Sequence, residues 1–252
     1  MYYADQGFEV FATVFETAAI TMVRNAVAAA CVRFRGGDEA CITAGVSLAS
    51  YTEQHPERNP GVAARALSGE PYILGNLAGL SEEFRTFLVH EPLWELAAMI
   101  LRTDVVDVVY HFAQVIRKPA RIGPAVSWHR DYPNTYVCSR TSNFVRLLVA
   151  LDDMSYVNGG TGIVPESHLI DDEEVWRRRD LAENGGGAVY PTMEAGQVLA
   201  IHPKAVHGGG PNRSPSDRDL LVTQFGVRSA ELIHRADAEY LTLCGREEFL
   251  AG

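Results

Sequence analysis

The sequence is poor in several features, and each shortage removes a class of function. Although 47% of its residues are hydrophobic, no stretch approaches the roughly 20 uncharged apolar residues of a membrane-spanning helix. Positive charge is in deficit, with 22 Lys and Arg against 32 Asp and Glu. Neutralising phosphates needs a concentrated basic surface, so nucleic-acid binding is disfavoured and a small-molecule substrate is expected. Cysteine is sparse: Cys31, Cys41, Cys138 and Cys244 lie far apart with no CxxC pair. That suits reduced thiols, not a disulfide scaffold or a thiolate zinc site. The opening MYYADQGFEVF has neither the basic nor the apolar region of a secretory signal, so a cytoplasmic location is expected. There is no internal repeat, and nothing sets the oligomeric state.

A chain of 252 residues suits one large domain with a well-buried core. Residues 15–34 (FETAAITMVRNAVAAACVRF) contain no Gly or Pro and space Ile20, Val23, Val27 and Cys31 at helical intervals, so a helix is expected, ended by Gly36 and Gly37. Short helices are expected after Ser81 and over 91–102, where Pro92 suits a first turn. The stretch 44–79 reads as loop with short helical pieces. From residue 104 the chain changes to short β-branched runs parted by turn residues: VVDVVYHFAQVIRK, FVRLLVALDD, GTGIVPES, GQVLAIH and DLLVTQFGVRS. Helices followed by many strands predict a mainly β fold, a sandwich or barrel with helices packed outside. The expected division is a mostly helical part over 1–103, a β core over 104–230 and a tail over 231–252. The charged segment 170–180 and the Gly-rich loop after Asn184 form one long excursion, the kind that often serves as a lid.

Ser127-Trp128-His129-Arg130-Asp131 carries the strongest chemical signal. In an extended strand, residues i and i+2 project from one face, so His129 and Asp131 converge. Two His and one carboxylate occupy one face of an octahedral iron(II) and leave positions open for co-substrate and dioxygen; His207 is the candidate third ligand. An HxD pair alone is more often a surface ion pair, but here a β run precedes it, a distant His follows, and an Arg opens the next β run.

These elements resemble the phytanoyl-CoA dioxygenase family of iron(II)/2-oxoglutarate oxygenases in WHRD at 128–131, NGGTGIVPESH at 158–168 and HGGGPNRSPSDR at 207–218. GFEVF and the long helix after it are similar to the family's entry strand and helix, and residues 35–80 match least. The resemblance implies a double-stranded β-helix (jelly-roll) core with iron(II) held by His129, Asp131 and His207. It implies 2-oxoglutarate and O2 as co-substrates, with Arg218 clamping the far carboxylate of 2-oxoglutarate. A planar, permanently charged fork suits that task; Arg213 is the local competitor, set in a turn. The implied reaction is oxidation, most often hydroxylation, of an unactivated C–H bond of a metabolite, with release of succinate and CO2. Asp131 stands where related halogenases have Ala or Gly, which disfavours halogenation. The competing readings are a metal-dependent jelly-roll enzyme that does not use 2-oxoglutarate and a non-catalytic jelly-roll binding module.

The alternation of YHFAQVIRK puts Tyr110, Gln114 and Lys118 on one face. Family members carry Gln and often Lys there, so Gln114 is a co-substrate candidate and Lys118 a substrate candidate, the alternative for Lys118 being a solvated strand end. Arg146 shares a face with Leu148; pointing inward it meets an acidic partner or a substrate carboxylate, pointing outward it faces water. Tyr132, Asn134, Tyr136 and Arg140 are candidates to line the mouth. His111 alternates away from Gln114 and, like the remaining histidines, reads as an ordinary residue. Two departures from the family pattern stand out: PESH in place of PGSH, and Gly209 where a small hydroxyl residue is usual.

Overall fold

A computed structural model of the chain describes residues 2–12, 14–39, 41, 58, 61, 62, 70–134, 137–235 and 243–251. Most of the expected loop at 44–79, and Tyr136, lie outside these residues. A short helix α1 (Tyr2–Gln6) and strand β1 (Phe8–Phe11) precede the long helix α2 (Thr17–Arg35). In α2, Ile20, Val23, Val27, Cys31 and Phe34 form one buried stripe at three- and four-residue spacing. Strand β2 (Ile73–Leu74) and helices α3 (Leu77–Leu80), α4 (Glu82–Leu88) and α5 (Glu91–Leu101) complete the helical part. Pro92 sits in the first turn of α5, where its missing N–H has no carbonyl to serve.

The rest of the chain is built around antiparallel strands: β3 (Val108–Lys118), β4 (Val126–His129), β5 (Val137–Ser139), β6 (Phe144–Ala150), β7 (Gly162–Ile163), β8 (Val198–Ile201), β9 (His207–Gly209), β10 (Arg218–Val227) and β11 (Leu232–Arg235). Helices α6 (Asp172–Arg177) and α7 (Arg179–Asn184) lie between β7 and β8, and α8 (Arg246–Ala251) follows β11. The main sheet has the order β1-β8-β6-β10-β3-β2, a smaller sheet the order β4-β9-β7, and β11 pairs with β5. This is the expected jelly roll with helices on its outer side.

Alternation along the strands builds two cores. Val145, Leu147 and Val149 of β6, with Leu221 and Phe225 of β10, pack against α2, α4 and α5. Leu148 and Ala150, with Leu199, Ile201, Leu220 and Val222, face inward and meet Ile163 of the smaller sheet. Burial on both faces is why FVRLLVA reads as a nearly continuous apolar run.

One expectation from strict alternation fails. Phe225 pairs with Tyr110 while Gln224 pairs with Phe112, so His111 is an extra residue in β3. This bulge reverses the facing of everything before it. Tyr110 therefore packs with the helical core, against Phe225 and Phe249, while Gln114 and Lys118 line the inner cavity. His111, expected to point away, bonds to Gln224 instead.

Candidate metal centre

The antiparallel register of β4 and β9 sets His129 opposite His207, with ring centroids 4.3 Å apart. Asp131, two residues beyond His129, projects to the same side: its Oδ1 lies 3.6 Å from His129 Nε2 and its Oδ2 3.6 Å from His207 Nε2. One donor atom from each residue falls within 4.8 Å of the others. Each imidazole is oriented by the carbonyl two residues before it. His129 Nδ1 lies 2.8 Å from Ser127 O, and His207 Nδ1 3.0 Å from Ala205 O. A carbonyl only accepts, so Nδ1 carries the proton and the Nε2 lone pairs point at the cluster.

Burial, then the neighbouring His129, pulls the His207 pKa down to about 4, so the ring is neutral at pH 7. For Asp131, burial alone would raise the pKa; Arg146, then His207 and His129, outweigh it and hold the carboxyl well below the usual range. Asp131 Oδ2 is buried and accepts no hydrogen bond. An orphaned carboxylate oxygen beside the Nε2 atoms of two imidazoles is a donor set that fits a divalent ion, and two N with one O suits iron(II).

Arg146 points inward, and its partner is acidic: Nη2 lies 3.1 Å from Asp131 Oδ1. Its Nε donates to Gln224 Oε1 at 3.3 Å, and its guanidinium lies over the Phe112 ring, 5.1 Å from the centroid. Gln224 Nε2 in turn donates to Val137 O at 3.0 Å and to His111 Nδ1 at 2.9 Å. Burial, then Arg146, brings the His111 pKa down to about 3, so that ring is a neutral acceptor. Gly226 makes room for it, since a Cβ there would lie 2.4 Å from the ring.

The three side chains form part of the wall of a cavity of about 530 Å³, with Gln114, Ile116, Leu148, Leu220 and Val222 also lining it. Lys118 and Arg218 lie there too, opposite each other across β3 and β10. Arg218 Nη2 donates to Gly159 O at 3.0 Å, while Nε and Nη1 are buried with no hydrogen-bond partner. Burial lowers its pKa to about 10 against the pull of Asp219 and Asp152, so it stays charged at pH 7. Lys118 is buried rather than solvated, donating to Gly159 O at 2.8 Å and Gly210 O at 2.6 Å. Burial, then Arg218, pushes its pKa well down. A Cβ at Gly209 would lie 2.9 Å from Gly160 O and 3.3 Å from Lys118 Nζ. The hydroxyl residue that the family resemblance implies at this position would crowd Lys118 Nζ and a backbone carbonyl.

Other candidates fall elsewhere. Asn134 lines the cavity, but its amide closes the turn after Asp131, donating to Asp131 O at 3.1 Å and accepting from Val137 N at 2.8 Å. Tyr132 and Arg140 are not among the cavity-lining residues: the Tyr132 hydroxyl donates to Arg140 O at 2.8 Å, and the exposed Arg140 is paired with Glu231 at 2.7 Å. Arg213 is exposed in its turn. The excursion over 170–190 contributes no cavity-lining residue among those described. It packs behind β4, where Trp128 meets Gly185, so the lid expectation is not met. Sequence reasoning missed Gln224 and Phe112, both hidden among apolar strand residues, and Arg130, whose signal was its outward alternation between two inward ligands.

Comparison with known proteins bears on the family and the fold. The family model described as Phytanoyl-CoA dioxygenase (PhyH) matches residues 3–220. The chain is similar to Dioxygenase aneA of Aspergillus aculeatus, at 33% identity over 67% of this chain and 56% of that protein. It is also similar to the Fe(II)/2-oxoglutarate-dependent dioxygenase nvfF of Aspergillus novofumigatus, at 30% identity over 58% of this chain and 48% of that protein. The chain thus spans about half the length of the curated relatives it matches. Among solved structures, AviO1 from Streptomyces viridochromogenes superposes with a TM-score of 0.67 at 25% identity, covering 91% of this chain and 93% of that one. Among the described residues, no helix is long and apolar enough to cross a membrane.

Proposed function

Because the chain belongs to the phytanoyl-CoA dioxygenase family, we propose that it is an iron(II)- and 2-oxoglutarate-dependent dioxygenase. It hydroxylates a C–H bond of a small-molecule substrate, with conversion of 2-oxoglutarate and O2 to succinate and CO2. The observation that carries the proposal is the convergence of His129, Asp131 and His207 in one cavity with the partly unpartnered Arg218 guanidinium.

Iron(II) with 2-oxoglutarate supplies the oxidising chemistry when bound; the protein supplies orientation and a dry site. His129 and His207 present Nε2, and Asp131 presents Oδ2 while Arg146 occupies Oδ1. Arg218 offers two free donor atoms to the distal carboxylate of 2-oxoglutarate, and burial of that charge strengthens the attraction. Lys118 holds the carbonyls of Gly159 and Gly210 around the same pocket end. Ile116, Leu148, Leu220 and Val222 line the cavity with apolar surface that keeps water from the reacting groups. The test is succinate formation from 2-oxoglutarate with added iron(II) across a panel of metabolites. Iron-dependent, substrate-stimulated succinate is expected; release that is absent, or unchanged in His129→Ala, contradicts the proposal.

A further inference from the structure

The excursion behind β4 is tied to both ligand-bearing strands through one carboxylate. Trp128, next to His129, packs against a small core of Val164, Val175, Leu181 and Val206, and the Arg130 guanidinium reaches the same segment. Arg130 is almost completely buried, with 1% of its side chain exposed, and directs both Nη groups at this segment. Nη1 donates to Asp172 Oδ1 at 2.6 Å, and Nη2 to Ile170 O at 3.0 Å and to Ser167 O. The other oxygen of Asp172, Oδ2, accepts from Lys204 Nζ at 3.0 Å. Lys204 lies in the turn that leads into β9, and Lys204 and Lys118 are the only lysines in the sequence. A second tie runs parallel: Val206 N donates to Ser167 Oγ at 2.8 Å, and Ser167 Oγ donates to Val164 O at 2.6 Å.

Arg130 sits between His129 and Asp131, and Lys204 lies just ahead of His207. We propose that Asp172 is a positioning residue of the metal centre, a carboxylate clamp that draws the backs of the two ligand-bearing strands to one anchor and so sets the separation of the ligands on their front. The chemistry favours this over an incidental surface pair. Each Asp172 oxygen serves a residue flanking a different ligand-bearing strand, and the Arg130 charge is buried, so the clamp is fixed at that end and cannot drift with solvent. The orientation of metal ligands is commonly set by such outer contacts. The inference rests on the proposed metal centre.

The test is titration of the metal-free protein with Co(II), a spectroscopic stand-in for iron(II), read by affinity and by the visible ligand-field spectrum. Wild-type protein binds Co(II) and His129→Ala does not; if wild type fails to bind, the metal-centre reading itself falls, separately from the clamp. Asp172→Asn removes the charge but keeps the shape. It is expected to weaken Co(II) binding about 3- to 10-fold, below the 10- to 100-fold typical of groups bonded directly to a ligand, and to alter the spectrum. Asp172→Glu restores part of both. Lys204→Met, which leaves the buried Arg130 contact intact, gives a smaller change in the same direction and decides the matter if Asp172→Asn does not fold. Affinity and spectrum indistinguishable from wild type in the asparagine variant, or in Lys204→Met where that variant does not fold, overturn the clamp.

Discussion

Replacing Asp131 by Ala should have two separable consequences, because the residue answers to two cations. The first is loss of the oxygen proposed to bind the metal. The second appears without any metal: Arg146, with 8% of its side chain exposed, would be left buried beside a missing partner 3.1 Å away. Removing one member of a buried pair costs about 3–5 kcal/mol, whereas replacing both by apolar groups is often neutral. The remaining bond to Gln224 and the Phe112 face still serve Arg146, which puts the expected loss near the lower end, about 3 kcal/mol. For a chain of this size that corresponds to a fall in Tm of about 6 °C. The double variant Asp131→Ala/Arg146→Met should recover most of that stability while still failing to bind metal. Urea denaturation of the metal-free proteins measures the first effect and Co(II) titration the second. If Asp131→Ala is as stable as wild type, or if the double variant is less stable than the single one, the argument that Arg146 is there to balance Asp131 is wrong.

Three further outcomes follow from the same geometry. Arg218→Ala removes a charge-assisted contact worth about 1.5–3 kcal/mol, so KM for 2-oxoglutarate should rise on the order of 10- to 100-fold, with little effect on Co(II) binding; an unchanged KM in steady-state kinetics would remove Arg218 from the co-substrate site. Gly209→Ser pushes a side chain to within 2.9 Å of Gly160 O and should cost about 1–3 kcal/mol of stability through overpacking, measured by thermal melting, while displacing Lys118 and weakening 2-oxoglutarate binding. The pKa of His111, brought down to about 3 from an ordinary 6.5, means the unfolded chain binds the extra proton between those values. The contribution of His111 to stability is therefore complete above pH 6.5 and lost as pH falls toward 3, at about 1.4 kcal/mol per pH unit. Urea midpoints of His111→Gln should depend less steeply on pH than those of wild type over that window.

Much of the candidate site was legible because it depends on local rules. His129 and Asp131 share a face by the two-residue period of a strand, and Arg218 opens a β run in the sequence as it opens β10 in the structure. What the sequence hid depends on tertiary register. The bulge at His111 turns Tyr110 to the helices and joins His111 to Gln224, and no feature of YHFAQVIRK marks where the extra residue falls. The partner of Arg146 was one of several open alternatives, since nothing local pairs residues on β6 with the end of β4. Lys118 as a buried residue also contradicts what a strand-end lysine suggests; its burial follows from the turn carbonyls of Gly159 and Gly210, which come from two other parts of the chain. The excursion over 170–190 looked like a lid from its charge and glycine content, yet Trp128 and Arg130 fasten it to the outside of the smaller sheet.

The central claim is that one cavity holds both an iron(II) site and a 2-oxoglutarate site. Anaerobic calorimetric titration of 2-oxoglutarate into protein with and without iron(II) tests it most directly. The account predicts one 2-oxoglutarate per chain, bound much more tightly when iron(II) is present, with the enhancement lost in His207→Ala and the binding weakened in Arg218→Ala. Binding that is indifferent to iron(II), or no binding at all to the iron-loaded protein, would contradict it.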